Sequence, residues 1–138
     1  MKIEEQVLSR EQMKHLQELG VNTSDASMAY YNISRDNQPD KWILGIANKE
    51  VASIMISNGI TEMEPTYTIG DLIEKLPKSI DLGFGEYDLE LSIKGEYVEA
   101  QYENDYDDYT PFFCSNLSLI ESLYRILCWL AENHKEIL

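Results

Sequence analysis

Two alternating runs on either side of Lys94-Gly95 constrain the fold more than any other feature of the chain. Tyr87, Leu89, Leu91 and Ile93 interleave with Asp88, Glu90 and Ser92 before it, and Val98, Ala100 and Tyr102 interleave with Tyr97, Glu99, Gln101 and Glu103 after it. Successive side chains of a strand point to opposite faces, so a period of two sorts each run into one apolar and one polar side. A helix, with its period of 3.6, gathers neither set. The runs therefore predict an antiparallel hairpin with one face covered and one wet. With Lys94 and Gly95 as the tight turn, Leu91 faces Val98, Leu89 faces Ala100 and Tyr87 faces Tyr102. That register also sets Glu90 opposite Glu99 and Glu86 opposite Glu103, and each such like-charge pair costs roughly 0.2 to 1 kcal/mol.

The wet face lies in the most acidic part of the chain. From Asp81 to Thr110 ten carboxylates stand against the single cation Lys94, a local charge of −9 out of −14 for all 138 residues. Binding to a phosphate backbone needs clustered Lys and Arg, so no direct nucleic-acid binding is expected. Just after the hairpin, carboxylates and rings alternate in Tyr102-Glu103-Asn104-Asp105-Tyr106-Asp107-Asp108-Tyr109. Carboxylates pair with arginine and aromatic rings stack on it, which suits a basic protein partner. The candidate binding residues are Glu90, Glu99, Glu103, Asp105, Tyr106, Asp107 and Asp108. The same residues also read as a solvated face that keeps a small sheet soluble.

The remaining elements follow from helix and turn signals. Ser9-Arg10-Glu11-Gln12 has the form of a capping box, and Met13, Leu16 and Leu19 recur at helical spacing until Gly20, which predicts a helix from Arg10 to Leu19. Ala29 to Ser34 and Lys41 to Ala47 are β-prone runs joined by the turn-rich residues Arg35 to Asp40, a second hairpin. Val51 to Ser57 reads as a strand running into an Asn58-Gly59 turn, while a helix capped by Asn48 and closed by Gly59 fits the same residues. Thr68 to Leu76 predicts a two-turn helix stopped by Pro77. A further box at Ser118 to Glu121 opens a long C-terminal helix whose apolar residues, from Leu119 to Ala131, spread over most of its circumference.

With 43% apolar and 26% charged residues the chain carries enough apolar mass to fold, and its length predicts one domain over residues 1–138. The predicted architecture is α+β: a small antiparallel sheet of hairpins covered by a short N-terminal helix, a short middle helix and a long C-terminal helix. Met1 to Gln6 places two carboxylates where the apolar core of a secretory leader would begin. The apolar stretches are far shorter than the ~20 residues a bilayer span needs. A cytoplasmic location without membrane contact is expected, with Cys114 and Cys128 as reduced thiols.

Motifs for chemistry are sparse, and no catalytic residue, metal or cofactor is expected. Asp105 and Asp107 share the first spacing of an EF-hand loop, but Tyr109, Thr110 and Asn116 stand where a ligand, a glycine and a glutamate are needed. The only histidines, His15 and His134, sit on helices away from any nucleophile motif. Gly83-Phe84-Gly85 lacks the third glycine of a dinucleotide fingerprint. A competing reading makes the Tyr30, Tyr31 and Trp42 surface of the first hairpin a small-molecule site, in a binder or a small enzyme.

Ser9 to Gly20, Thr23 to Met28, Pro65 to Pro77 and Leu123 to Leu130 resemble, in that order, segments of a group of small uncharacterised proteins from gut anaerobic bacteria and their phages and mobile elements. The resemblance implies one compact cytoplasmic domain and a link to mobile DNA. It brings no activity and no catalytic residue with it.

Overall fold

The computed structural model describes residues 6–34, 41–60 and 62–138. The first helix, α1 (Arg10–Glu18), starts at the predicted box: Ser9 Oγ accepts from the Gln12 N–H at 3.1 Å, and Gln12 Oε1 accepts from the Ser9 N–H at 2.9 Å. At its end the Gly20 and Val21 N–H groups return to the carbonyls of Gln17 and Leu16, and Val21 is buried beneath the last turn. Strands β1 (Met28–Asn32) and β2 (Trp42–Ile46) pair antiparallel as the predicted hairpin. The turn expected at residues 35–40 lies outside the described residues.

The segment read as a strand is a helix, α2 (Lys49–Ser57). Its β-branched residues disfavour the helix by only a few tenths of a kcal/mol each, whereas a cap contributes about 1 kcal/mol. Both ends are capped. Asn48 Oδ1 accepts from the Val51 N–H at 2.8 Å. Gly59, at φ +87°, lets its own N–H reach the Ile56 carbonyl and the Ile60 N–H reach that of Met55, each at 3.0 Å. The Asn58-Gly59 pair that suggested a hairpin turn is a helix stop.

Strand β3 (Met63–Thr66) pairs with β1, and α3 (Ile69–Lys75) follows a full capping box between Thr68 and Asp71. Strands β4 (Ser79–Asp81), β5 (Glu86–Lys94), β6 (Tyr97–Glu103) and β7 (Phe112–Asn116) precede the long helix α4 (Leu119–Asn133). The box expected at the start of α4 forms on one side only. Ser118 Oγ accepts from the Glu121 N–H, but the Glu121 carboxylate is drawn to Gln12 Nε2 at 2.9 Å and Arg125 Nε at 3.3 Å. The Ser118 N–H donates to Asn116 Oδ1 instead.

The class is α+β with a long C-terminal helix, and its strands divide between two antiparallel sheets, β2-β1-β3 and β4-β5-β6-β7. One cluster of buried side chains runs through both Leu8 and Met13 at the start of the chain, Leu72 and Leu76 of α3, Ala100, Tyr102 and Cys114 of the four-stranded sheet, and Leu123, Ile126, Leu127 and Leu130 of α4. The three-stranded sheet is tied to that cluster by hydrogen bonds to the Leu8 carbonyl, from Tyr30 Oη at 2.9 Å and Thr66 Oγ1 at 2.7 Å.

Candidate functional site

The acidic hairpin is present, but its turn is Gly95-Glu96 rather than Lys94-Gly95, closed by the pair Lys94 and Tyr97. Gly95 sits at φ +63°. A two-residue hairpin turn needs a positive φ at its first central position, which glycine adopts freely and lysine does not. The shift moves one strand by two residues against the other, so every side chain keeps its face while its partner changes. Leu91 now faces Ala100 and Leu89 faces Tyr102. Glu90 faces Gln101, Glu99 faces Ser92, and the one like-charge pair across this ladder is Asp88 with Glu103. The observed register thus forms neither of the two predicted like-charge pairs and sets a single new one in their place.

The covered face is also shorter than predicted. Tyr87, Ala100 and Tyr102 are buried, yet toward the turn Leu91 is 37% and Ile93 is 82% exposed.

On the wet face Glu86, Asp88 and Glu90 stand at alternate positions of β5, about 6.8 Å apart along the strand. Glu103 lies across from Asp88, and the chain then bends into the loop that carries Asp105 and Tyr106. Asn104 shapes that bend: its Oδ1 accepts from the Tyr106 and Asp107 N–H groups, and its Nδ2 donates to the Glu86 carbonyl. Glu86, Asp88, Glu90, Glu103 and Asp105 thereby line one open hollow of about 520 Å³ with Asn104 and Tyr106. No cation lines it. The ion pairs Arg10 with Glu64, Lys75 with Asp25 and Arg125 with Glu121 all lie elsewhere. Tyr106 is 96% exposed at the edge of the hollow.

Of the seven residues read from sequence, Glu90, Glu103, Asp105 and Tyr106 are brought together here. Glu99 is half-buried further along β6, opposite Ser92 and Ser115. Asp107 accepts from Tyr87 Oη at 3.2 Å and from the Tyr109 N–H at 2.9 Å, so it braces the loop. Asp108 is exposed and lines no part of the hollow. Sequence reasoning missed Glu86 and Asp88 as members, although their alternation with Tyr87 and Leu89 marked them as facing the same way as Glu90. A ring cluster lies beside the loop, where Phe84, Tyr87 and Tyr109 meet with centroids 5.7 to 6.2 Å apart.

The aromatic surface of the first hairpin is engaged in structure. Tyr30 Oη donates to the Leu8 carbonyl, Tyr31 Oη donates to that of Ile46, and the Trp42 ring lies under the Arg10 guanidinium at 3.8 Å. The hollow that Tyr31 lines beneath α2 measures about 110 Å³, below the roughly 300 Å³ at which small-molecule pockets begin. Both histidines pack on rings, His15 on Tyr124 at 6.5 Å and His134 on Trp129 at 4.9 Å. Cys114 and Cys128 are free thiols, and burial pushes both up from the usual thiol range, which keeps them protonated. Among the described residues no three His, Cys, Asp or Glu side chains converge on a point where a metal ion would sit, and no helix is long and apolar enough to cross a membrane.

No family model, no curated protein and no solved structure matches the chain.

Proposed function

We propose that the chain is a non-enzymatic interaction protein of the cytoplasm, acting as one domain, whose acidic hollow takes an extended basic segment of a protein partner. The observation that supports this is the row Glu86, Asp88, Glu90 at a strand's period, joined by Glu103 and Asp105 around one hollow that no cation lines among the described residues. An extended peptide carries its own side chains on one side at the same spacing, so Lys or Arg at alternate positions meets successive carboxylates. The carboxylates are strung out rather than convergent, which suits several separate cations better than one metal ion. Tyr106 supplies an exposed ring on which a guanidinium can stack. In line with the resemblance to proteins of phages and mobile elements, the partner is a basic protein that handles mobile DNA.

The test is a titration with a peptide of alternating arginines. Reversing Glu90, Glu103 and Asp105 together to lysine is expected to weaken binding at least about tenfold, or ~1.4 kcal/mol. Reversing Glu11 and Glu18 on α1 is expected to leave it unchanged. Equal affinity for the two reversed proteins would contradict the proposal.

A further inference from the structure

Apart from the acidic face, the four-stranded sheet ends in an edge of opposite character. Among the described residues, strand β7 hydrogen-bonds only to β6, and its other side is open. In a chain with 26% charged residues, the twelve residues from Tyr109 to Ile120, which include all of β7, contain no charge. Folded proteins ordinarily protect an open strand edge with charge, proline or shortness. The other edges here follow that rule. Strand β4 has three residues, ends in Asp81 and follows Pro77-Lys78, while β3 contains Glu64 and Pro65. Strand β2 is uncharged but is flanked by Lys41 and Lys49, with the Arg10 guanidinium over Trp42.

The register of the sheet fixes what β7 presents. Lys94 and Tyr97 close a two-residue turn and form a hydrogen-bonded pair, so Glu99 and Gln101 also bond toward β5. Val98, Ala100 and Tyr102 bond the other way, to Asn116, Cys114 and Phe112. The N–H and C=O groups of Phe113 and Ser115 are left pointing out of the edge. Phe113 is 52% exposed and Leu117, just past the strand, 70%.

We propose that β7 is a self-association edge: two copies of this chain join their β7 strands antiparallel about a two-fold axis at Cys114, making one eight-stranded sheet. About that axis Phe113 of each copy lies opposite Ser115 of the other, so outward groups meet outward groups in four hydrogen bonds. An axis at Phe113 would set Ser115 against Pro111, which has no N–H to give. With no charge from Tyr109 to Ile120, a second copy meets no carboxylate on the pairing strand itself. At −14 two copies repel, and this edge keeps their acidic faces apart. The two β6 strands stand three strand spacings from each other, about 14 Å, beyond the ~8 Å screening length at physiological ionic strength.

Sedimentation of the full chain, with amide hydrogen exchange on the same sample, tests this. The wild-type protein is expected to dimerise more tightly as salt is raised, with the Phe113 and Ser115 amides protected from exchange in the dimer. Phe113→Lys and Ser115→Lys, both at exposed positions, are expected to give folded monomers by circular dichroism with those two amides unprotected. Ile46→Lys on β2 is expected to leave the dimer intact. A wild-type protein that stays monomeric at millimolar concentration and high salt overturns the proposal. So does a dimer that survives both lysines at β7, or one that Ile46→Lys abolishes.

Discussion

At the scale of single residues, the Tyr67 hydroxyl is a polar group of the core with two partners. The ring is fully buried, and Oη donates within reach of the Asn22 carbonyl at 2.9 Å and Asp25 Oδ1 at 2.6 Å. Burial alone would raise the Asp25 carboxyl, yet the hydrogen bonds from Tyr67 and from Lys75 Nζ outweigh it and hold the group below the usual carboxylate range. A lowered carboxyl contributes stability above its unfolded pKa of about 3.9 and loses it as pH falls through the folded value. Tyr67→Phe is therefore expected to cost about 1 to 2 kcal/mol at neutral pH, and less as Asp25 becomes protonated. Denaturant melts of both proteins across that pH range check it. None of this was legible in the sequence, because Tyr67 and Lys75 lie 42 and 50 positions from Asp25 in chain order, and only the packing of α3 against the Asn22 turn brings them together.

At the scale of elements, legibility followed the locality of the signal. Helix α1 was readable to its ends because Ser9, Gln12 and Gly20 act on groups within five residues of themselves. The same kind of signal at Asn48 and Gly59 was present for α2, but a run of β-branched residues argued for a strand. The structure shows which effect is larger. No residue of α2 is buried, and Ile54 and Ile56 are 61% and 69% exposed, so packing adds little to hold it. Asn48→Ala is accordingly expected to fray α2, with amide exchange from Ala52 to Ile56 about fivefold faster, the equivalent of ~1 kcal/mol. The melting of the rest of the protein should hardly change. Loss of the whole fold with this substitution would mean that α2 is more tightly coupled to the core than its exposure implies. The acidic hairpin was readable in its faces but not its register, since alternation is blind to a shift of two residues. Only the demand for a positive φ at the first turn position decides between Lys94-Gly95 and Gly95-Glu96. Strands β3 and β7 gave little warning, one interrupted by Pro65 and the other too short for its alternation to be seen.

At the scale of the whole molecule, the charge is the organising quantity. Nine of the fourteen excess negative charges belong to residues 81–110, and those of them on β5 and β6 face away from α4 and the core. Their mutual repulsion is screened rather than neutralised in the free protein. Raising salt from low ionic strength is thus expected to raise Tm, and Glu103→Gln, which removes the like-charge partner of Asp88, is expected to reduce that salt dependence. A Tm that falls with added sodium chloride would contradict it. The candidate hollow was half legible for the same reason as the register. Residues at alternate strand positions could be assigned to one face, but the loop that swings Asp105 and Tyr106 beside them depends on Asn104 reaching back to the Glu86 carbonyl. The central claim is that this hollow, and not the charge at large, receives a basic segment. Backbone chemical-shift mapping during titration with the peptide of alternating arginines tests it most directly. The predicted result is saturable shifts confined to Glu86 to Glu90 and Glu103 to Tyr106; shifts scattered over all acidic surfaces, or centred on α1 and α4, would contradict it.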